Sequence, residues 1–116
     1  MATLTEPRFP GEFIATEANG KRSRDNDTIA AGTITTVGRV LSGPSTARVL
    51  CDGTAAATAV SFNAVDATAA AKTGVTMTRS CELNRAEMDF GAMNNTQIGV
   101  AIADLKLIGV IARPAV

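Results

Sequence analysis

The chain has 116 residues, with 11 basic and 11 acidic side chains, no net charge and 46% apolar residues, a length suited to one domain with a modest core. Charges of both signs are mixed along it, and Trp and Tyr are absent, so there is neither a basic field nor a set of stacking rings for nucleic acid. Its longest apolar run falls far short of the ~18–20 residues that span a bilayer, which leaves no membrane partner to expect.

Residues 1–9 show no periodicity, and Pro7 and Pro10 bracket Arg8-Phe9. Proline fixes φ and pushes its predecessor toward extended geometry, so this stretch reads as an extended arm rather than a helix. No charged region followed by an apolar stretch opens the chain, so a secretory leader is not expected and synthesis in the cytoplasm is the default. Next, residues 13–18 and 21–25 are expected to pair across Asn19-Gly20. Asn and Gly tolerate the positive φ that a two-residue hairpin turn requires. The mixed-sign cluster Lys21, Arg22, Arg24, Asp25 and Asp27 reads as a solvated hairpin tip or as inter-subunit salt bridges.

Further strands are expected over 34–41, which is rich in β-branched residues, and over 48–51, separated by the turn at Ser42-Gly43-Pro44-Ser45. In 58–63, Val60 and Phe62 alternate with Ser61, as in a half-buried strand. The Ala-rich run 64–71 is helical on propensity but short, and reads as loop or one loose turn. Val75, Met77 and Arg79 alternate with Thr76 and Thr78 in another strand. Asn84-Arg85-Ala86-Glu87 has capping-box spacing and predicts a short helical turn. A helix follows Asn94-Asn95-Thr96, with Ile98, Ala101, Ile102, Leu105 and Ile108 at i, i+3, i+4, i+7 spacing, and Gly109 stands where a left-handed cap belongs. Residues 110–113 form a last strand. The fold class is therefore mainly β with one C-terminal helix, an α+β chain.

Chemistry is hard to place. No histidine is present, which removes the commonest general base and zinc ligand. Cys51 and Cys81 stand thirty positions apart without metal-ligand spacing and read as buried apolar thiols. No phosphate-binding loop occurs, and Glu82, Glu87 and Asp89 read as a solvated turn rather than an acid/base or calcium site. No cofactor, metal or catalytic residue is expected. With few aromatics, the core is built from small side chains, and oligomerisation is a plausible further source of burial.

The order of landmarks resembles the head decoration proteins of tailed phages, the lambda-like protein D family. Pro10-Gly11-Glu12-Phe13-Ile14 leads to Asn19-Gly20 and Ser23-Arg24-Asp25. After Gly38-Arg39-Val40-Leu41 come Asp52-Gly53 and Asn63-Ala64-Val65-Asp66-Ala67-Thr68-Ala69. Glu82-Leu83-Asn84 and a helix running into Leu107-Ile108-Gly109-Val110-Ile111-Ala112-Arg113 complete the series. Relatives often carry Trp before the Asp-Gly turn and in the acidic turn before the helix, where this chain has Cys51 and Phe90.

The resemblance implies a compact, β-clip-like or β-barrel-like fold that forms a homotrimer, with an extended N-terminal arm over 1–12 and a single head-decoration domain over 13–116. It implies a non-enzymatic cementing protein on the outer surface of the phage head, partnered by the major capsid protein. That protein binds at three-fold and local three-fold positions of the expanded shell and holds it against packaged DNA. Thr3, Leu4, Thr5, Glu6, Pro7, Arg8 and Phe9 are the expected capsid-binding arm. Two other readings fit the residues alone. One is a β-rich oligomeric adaptor, such as a tail or receptor-binding accessory module of a virion. The other is an enzyme with Cys51 or Cys81 as nucleophile, which requires a thiol far more reactive than a buried one.

Overall fold

The computed structural model describes residues 14–17 and 23–113. Their strands are β1 (Ile14–Glu17), β2 (Arg24–Ile29), β3 (Ile34–Thr35), β4 (Val40–Ser42), β5 (Val49–Leu50), β6 (Ala57–Ser61), β7 (Val65–Asp66), β8 (Lys72–Met77), β9 (Cys81–Asn84) and β10 (Val110–Arg113), with helix α1 (Asn95–Leu107) before the last strand. They form a three-stranded sheet in the order β1-β9-β10, a five-stranded sheet in the order β2-β8-β6-β4-β5, and the pair β3-β7. The expected class, mainly β with one C-terminal helix, is what the structure shows.

Side chains on neighbouring residues of a strand point to opposite faces, and β4 and β6 bury both. Val40 pairs with Val60 in the larger core, which also holds Met77, Leu83, Leu105 and Val110. Leu41 pairs with Ala59 in a second cluster with Ile29, Val65 and Ala67. Cys51 and Cys81 are free thiols buried in the larger core. Phe90 packs against it half-buried, so the two positions where relatives often carry Trp belong to the core or its margin.

Several expectations need correction. β1 and β2 do not form a hairpin: β1 pairs with β9, with Ile14 opposite Leu83, and β2 pairs antiparallel with β8 from Arg24↔Met77 to Ile29↔Lys72. Asn19 and Gly20 lie outside the described residues, but the strands flanking them belong to different sheets. The single strand expected over 34–41 is two, because the chain turns between Thr35 and Val40: Gly38 has φ +81° and Arg39 N–H reaches back to Thr36 C=O at 3.2 Å. In β6, Val60 is buried as expected and Phe62, just beyond it, packs half-buried on the core, but Ser61, expected to face outward, is buried as well. The Ser61 hydroxyl donates to the Asn63 carbonyl at 2.6 Å, which offsets the cost of burying it. The 64–71 loop contains the two-residue strand β7.

The sheets do not close into a barrel. The outer strands of the five-stranded sheet, β2 and β5, form no ladder, and the chain joins across the gap at one parallel bridge, Ile29↔Arg48. Arg48 N–H donates to Thr28 C=O and Ala30 N–H to Arg48 C=O, each at 2.9 Å.

The helix begins where the Asn94 side chain accepts Gln97 N–H at 2.9 Å and Gln97 Oε1 accepts Asn94 N–H at 3.0 Å, a reciprocal cap. It ends at Gly109, whose φ of +89° suits a residue without Cβ. Ala101 and Leu105 are buried and Ile98 and Ile102 half-buried, as their spacing predicted, but Ile108 is the exposed cap residue. The expected turn at 84–87 is a short 3-10 helix, Arg85–Glu87, capped by the Asn84 side chain.

Candidate functional site

Thr3, Leu4, Thr5, Glu6, Pro7, Arg8 and Phe9 lie outside the described residues. The described chain begins with β1 in the three-stranded sheet. Ile14 opens β1 opposite Leu83 of β9, and Ala112 of β10 stands opposite the same Leu83 on the other side. β1 runs antiparallel to β9 and β10 parallel to it, so the start of β1 and the end of β10 share one end of the three-stranded sheet. Two inter-strand spacings separate them, about 10 Å. Ile14 and Ala112 therefore lie close together at one end of this sheet.

Around this area the surface is polar and paired. Arg113 Nη2 donates to Glu82 Oε1 at 2.8 Å across β10 and β9, and this hydrogen bond, helped by the Glu82 charge, holds the guanidinium pKa above its ordinary value. Arg85 and Ala86 of the 3-10 turn are exposed beside it in sequence.

The acidic residues singled out by sequence do not converge. Glu82 pairs with Arg113, whereas Asp89 accepts from Thr36 Oγ1 at 2.6 Å and from Gly91 N–H at 2.8 Å and lies 3.7 Å from Arg39. Among the described residues no cluster of His, Cys, Asp or Glu could hold a metal ion. No helix of the described residues is long and apolar enough to cross a membrane. Cys51 and Cys81 are 1% and 5% exposed, and Cys51 Sγ points to the Ala55 carbonyl at 3.6 Å. Neither thiol is open to a substrate in this arrangement.

The family model for bacteriophage lambda head decoration protein D matches residues 3–110. The chain belongs to that family. No curated protein and no solved structure matches it. Membership assigns a capsid decoration role, as a structural component of the bacteriophage head and virion. The match begins at Thr3 and so takes in the expected arm sequence as well as the folded part.

Sequence reasoning missed where the charged cluster of 21–27 goes. Lys21 and Arg22 lie outside the described residues. Asp27 is buried and accepts from Arg48 Nε at 2.8 Å and from Thr76 Oγ1 at 2.7 Å. Arg48 Nη1 also donates to Gly43 C=O and to Thr58 Oγ1, each at 2.6 Å. Asp25 pairs with Arg79 and Thr78. Burial is the largest influence on its carboxyl and works to raise the pKa, but the hydrogen bonds from Arg79 and Thr78 and the charges of Arg79 and Arg48 together bring it below the ordinary value. Arg24 lies over the Phe62 ring at 4.1 Å, beside a recess of about 300 Å³ that Asp25, Asn26 and Val75 also line. No signal in the sequence pointed to the Asp27 contacts, since Asp27 was grouped with the charged cluster and Arg48 and Thr76 with separate strands.

Proposed function

We propose that this protein binds as a homotrimer at three-fold and local three-fold positions of an expanded phage head, on its outer surface, and cements neighbouring units of the major capsid protein against internal DNA pressure. Family membership over residues 3–110 is the observation that carries the reading. In this reading residues 1–12 are the arm and 13–116 the decoration domain.

Residues 3–9 add an extended strand to a sheet edge of the capsid protein, with Leu4 and Phe9 as apolar anchors. About four to six backbone hydrogen bonds at a net ~0.5–1.5 kcal/mol each give roughly 3–6 kcal/mol per arm before ordering costs. One arm binds weakly. Three arms on one trimer act together and raise avidity about 10²–10⁴-fold, while Pro7 and Pro10 reduce the entropy lost on ordering. The geometry at the foot of the arm suits this role, because Ile14 sits on an outer strand of its sheet with the chain entering from one end.

Deletion of residues 2–9 tests the arm. Binding of the purified variant to undecorated expanded heads is expected to fall by orders of magnitude while its fold, read by circular dichroism, is retained. Binding at full strength would overturn the arm mechanism.

A further inference from the structure

Helix α1 is apolar on two opposite faces. Ala101 and Leu105 are buried, and Ile98 half-buried, on the face that packs on β6 and β10. At 3.6 residues per turn, Thr96, Gly99, Val100, Ala103 and Leu107 fall within an arc of about 100° on the other side. All five are exposed, Val100 at 56% and Leu107 at 86%. No other large apolar side chain among the described residues is as open as Leu107. A Cβ added to Gly99 would meet no described atom within 4 Å, so the middle of this stripe is uncovered by the described chain.

A surface helix ordinarily turns charged and polar residues straight out to water. In α1 the charges stand on the two flanks of the stripe instead. Lys106 is on one flank, and Asp104, which accepts Ala57 N–H at 3.3 Å, is on the other. Two residues apart in sequence, they differ by about 3 Å in height along the helix. Among the described residues neither has an ion-pair partner. An uncharged centre with polar margins is the anatomy of a contact between proteins.

We propose that the outer stripe of α1 packs against the same stripe of two further copies of this chain, with the three helices parallel about a three-fold axis. This rests on the homotrimer proposed above and names the surface that forms it. The flanks select both the occupant and the symmetry. Rotation about an axis parallel to the helices sets one flank of each stripe against the opposite flank of the next. Lys106 of each copy then meets Asp104 of its neighbour at nearly the same height. An antiparallel pair about a two-fold axis sets each flank against its own kind and has no such match. Val100, Ala103 and Leu107 close on the axis and lose the water that surrounds them in the single subunit.

The test uses the full chain bound to undecorated expanded heads, with Thr96→Cys and Ala103→Cys made separately. Both positions are exposed in the single subunit, whereas Cys51 and Cys81 are buried, so the unaltered protein is the control. An added oxidant is expected to link each variant into disulfide pairs of this chain on a non-reducing gel, with none in the control. Thr96 reads the direction of the helices, because equal heights at that end meet only when they run parallel. Leu107→Glu gathers three like charges at the axis, and its binding to heads should weaken by about tenfold or more with its circular dichroism unchanged. Absence of pairs at either cysteine position overturns the inference, whether the stripe then faces the capsid protein, another segment of this chain or water. Full-strength binding of Leu107→Glu also overturns it, and if that variant does not fold the cysteine pairs decide alone. Glutaraldehyde cross-linking of the unaltered protein on heads separates the two readings. Trimers without cysteine pairs remove the stripe and keep the homotrimer, and no trimers remove both. If the unaltered protein does not bind heads, the cementing role falls and takes this inference with it.

Discussion

Two regions of the molecule use the same pair of charges to different ends. At the seam of the five-stranded sheet, Arg48 and Asp27 are 9% and 4% exposed, and their contacts reach Thr76, Thr58 and the Gly43 carbonyl. At the end of the three-stranded sheet, Arg113 and Glu82 are 57% and 34% exposed and meet through one contact at 2.8 Å. A buried pair must satisfy nearly every donor and acceptor it brings, because the surroundings cannot replace a lost partner. An exposed pair is screened by water and exchanges partners at little cost. The first region therefore acts on the fold, and the second is a surface on which new partners can be accommodated.

The largest expected effect lies at the seam. Asp27→Ala strands the Arg48 guanidinium in a dry site and should lower stability by about 3–5 kcal/mol in urea unfolding. Arg113→Ala should leave the unfolding midpoint unchanged. If the two variants lost similar stability, the contrast between the regions would be wrong.

Next comes Gly91→Ala. Gly91 has φ +61°, and a Cβ there would collide with the Arg39 guanidinium, which also donates to the Cys51 carbonyl at 2.9 Å. A loss of about 1–3 kcal/mol is expected, from backbone strain with displacement of Arg39 added. Thermal unfolding of Gly91→Ala beside Arg39→Ala separates the two contributions.

A smaller loss, about 1 kcal/mol, is expected for Asn94→Ala, which removes the side-chain half of the helix cap. Asn94→Ser should recover most of it, as equilibrium unfolding will show.

The smallest effect is a dependence on acid. The Asp52 and Asp66 carboxyls are held below their ordinary pKa of 3.8, first by the hydroxyls of Thr54 and Thr68 and then by the amide N–H groups of the same residues. Asp25 is likewise below 3.8: burial works to raise it, but the hydrogen bonds from Arg79 and Thr78 and the charges of Arg79 and Arg48 together bring it down. A carboxyl with a lower pKa when folded contributes stability that is complete above its unfolded pKa and is lost as pH falls through the folded one. Melting temperature should therefore decline through these groups only below the unfolded value of 3.8. The decline should be shallower in Asp25→Asn, as a thermal scan against pH will check.

Local signals were legible in the sequence and distant ones were not. The helix from Asn95 to Leu107, its stop at Gly109, the turn after Asn84 and the last strand follow from spacing and capping over a few residues. The partner of β1 does not: Asn19-Gly20 carries a strong local turn signal, yet Ile14 pairs with Leu83, far along the chain. Strand pairing at such separation is decided by which faces bury together, and no short window records that. The same limit hid the seam. Asp27 looked like one more solvated charge because Arg48, 21 positions away, gives no sequence sign of facing it. Ser61 was misplaced because β6 is buried on both faces, which removes the polar–apolar alternation that marks orientation. Of the candidate site, the proposed arm rests on Pro7, Pro10 and the family resemblance, and its residues lie outside the described ones.

The most direct test of the cementing role is co-sedimentation of the purified protein with undecorated heads of its own phage, before and after expansion. Saturable binding to expanded heads with none to unexpanded shells is the predicted result. Absence of binding to either form would contradict it.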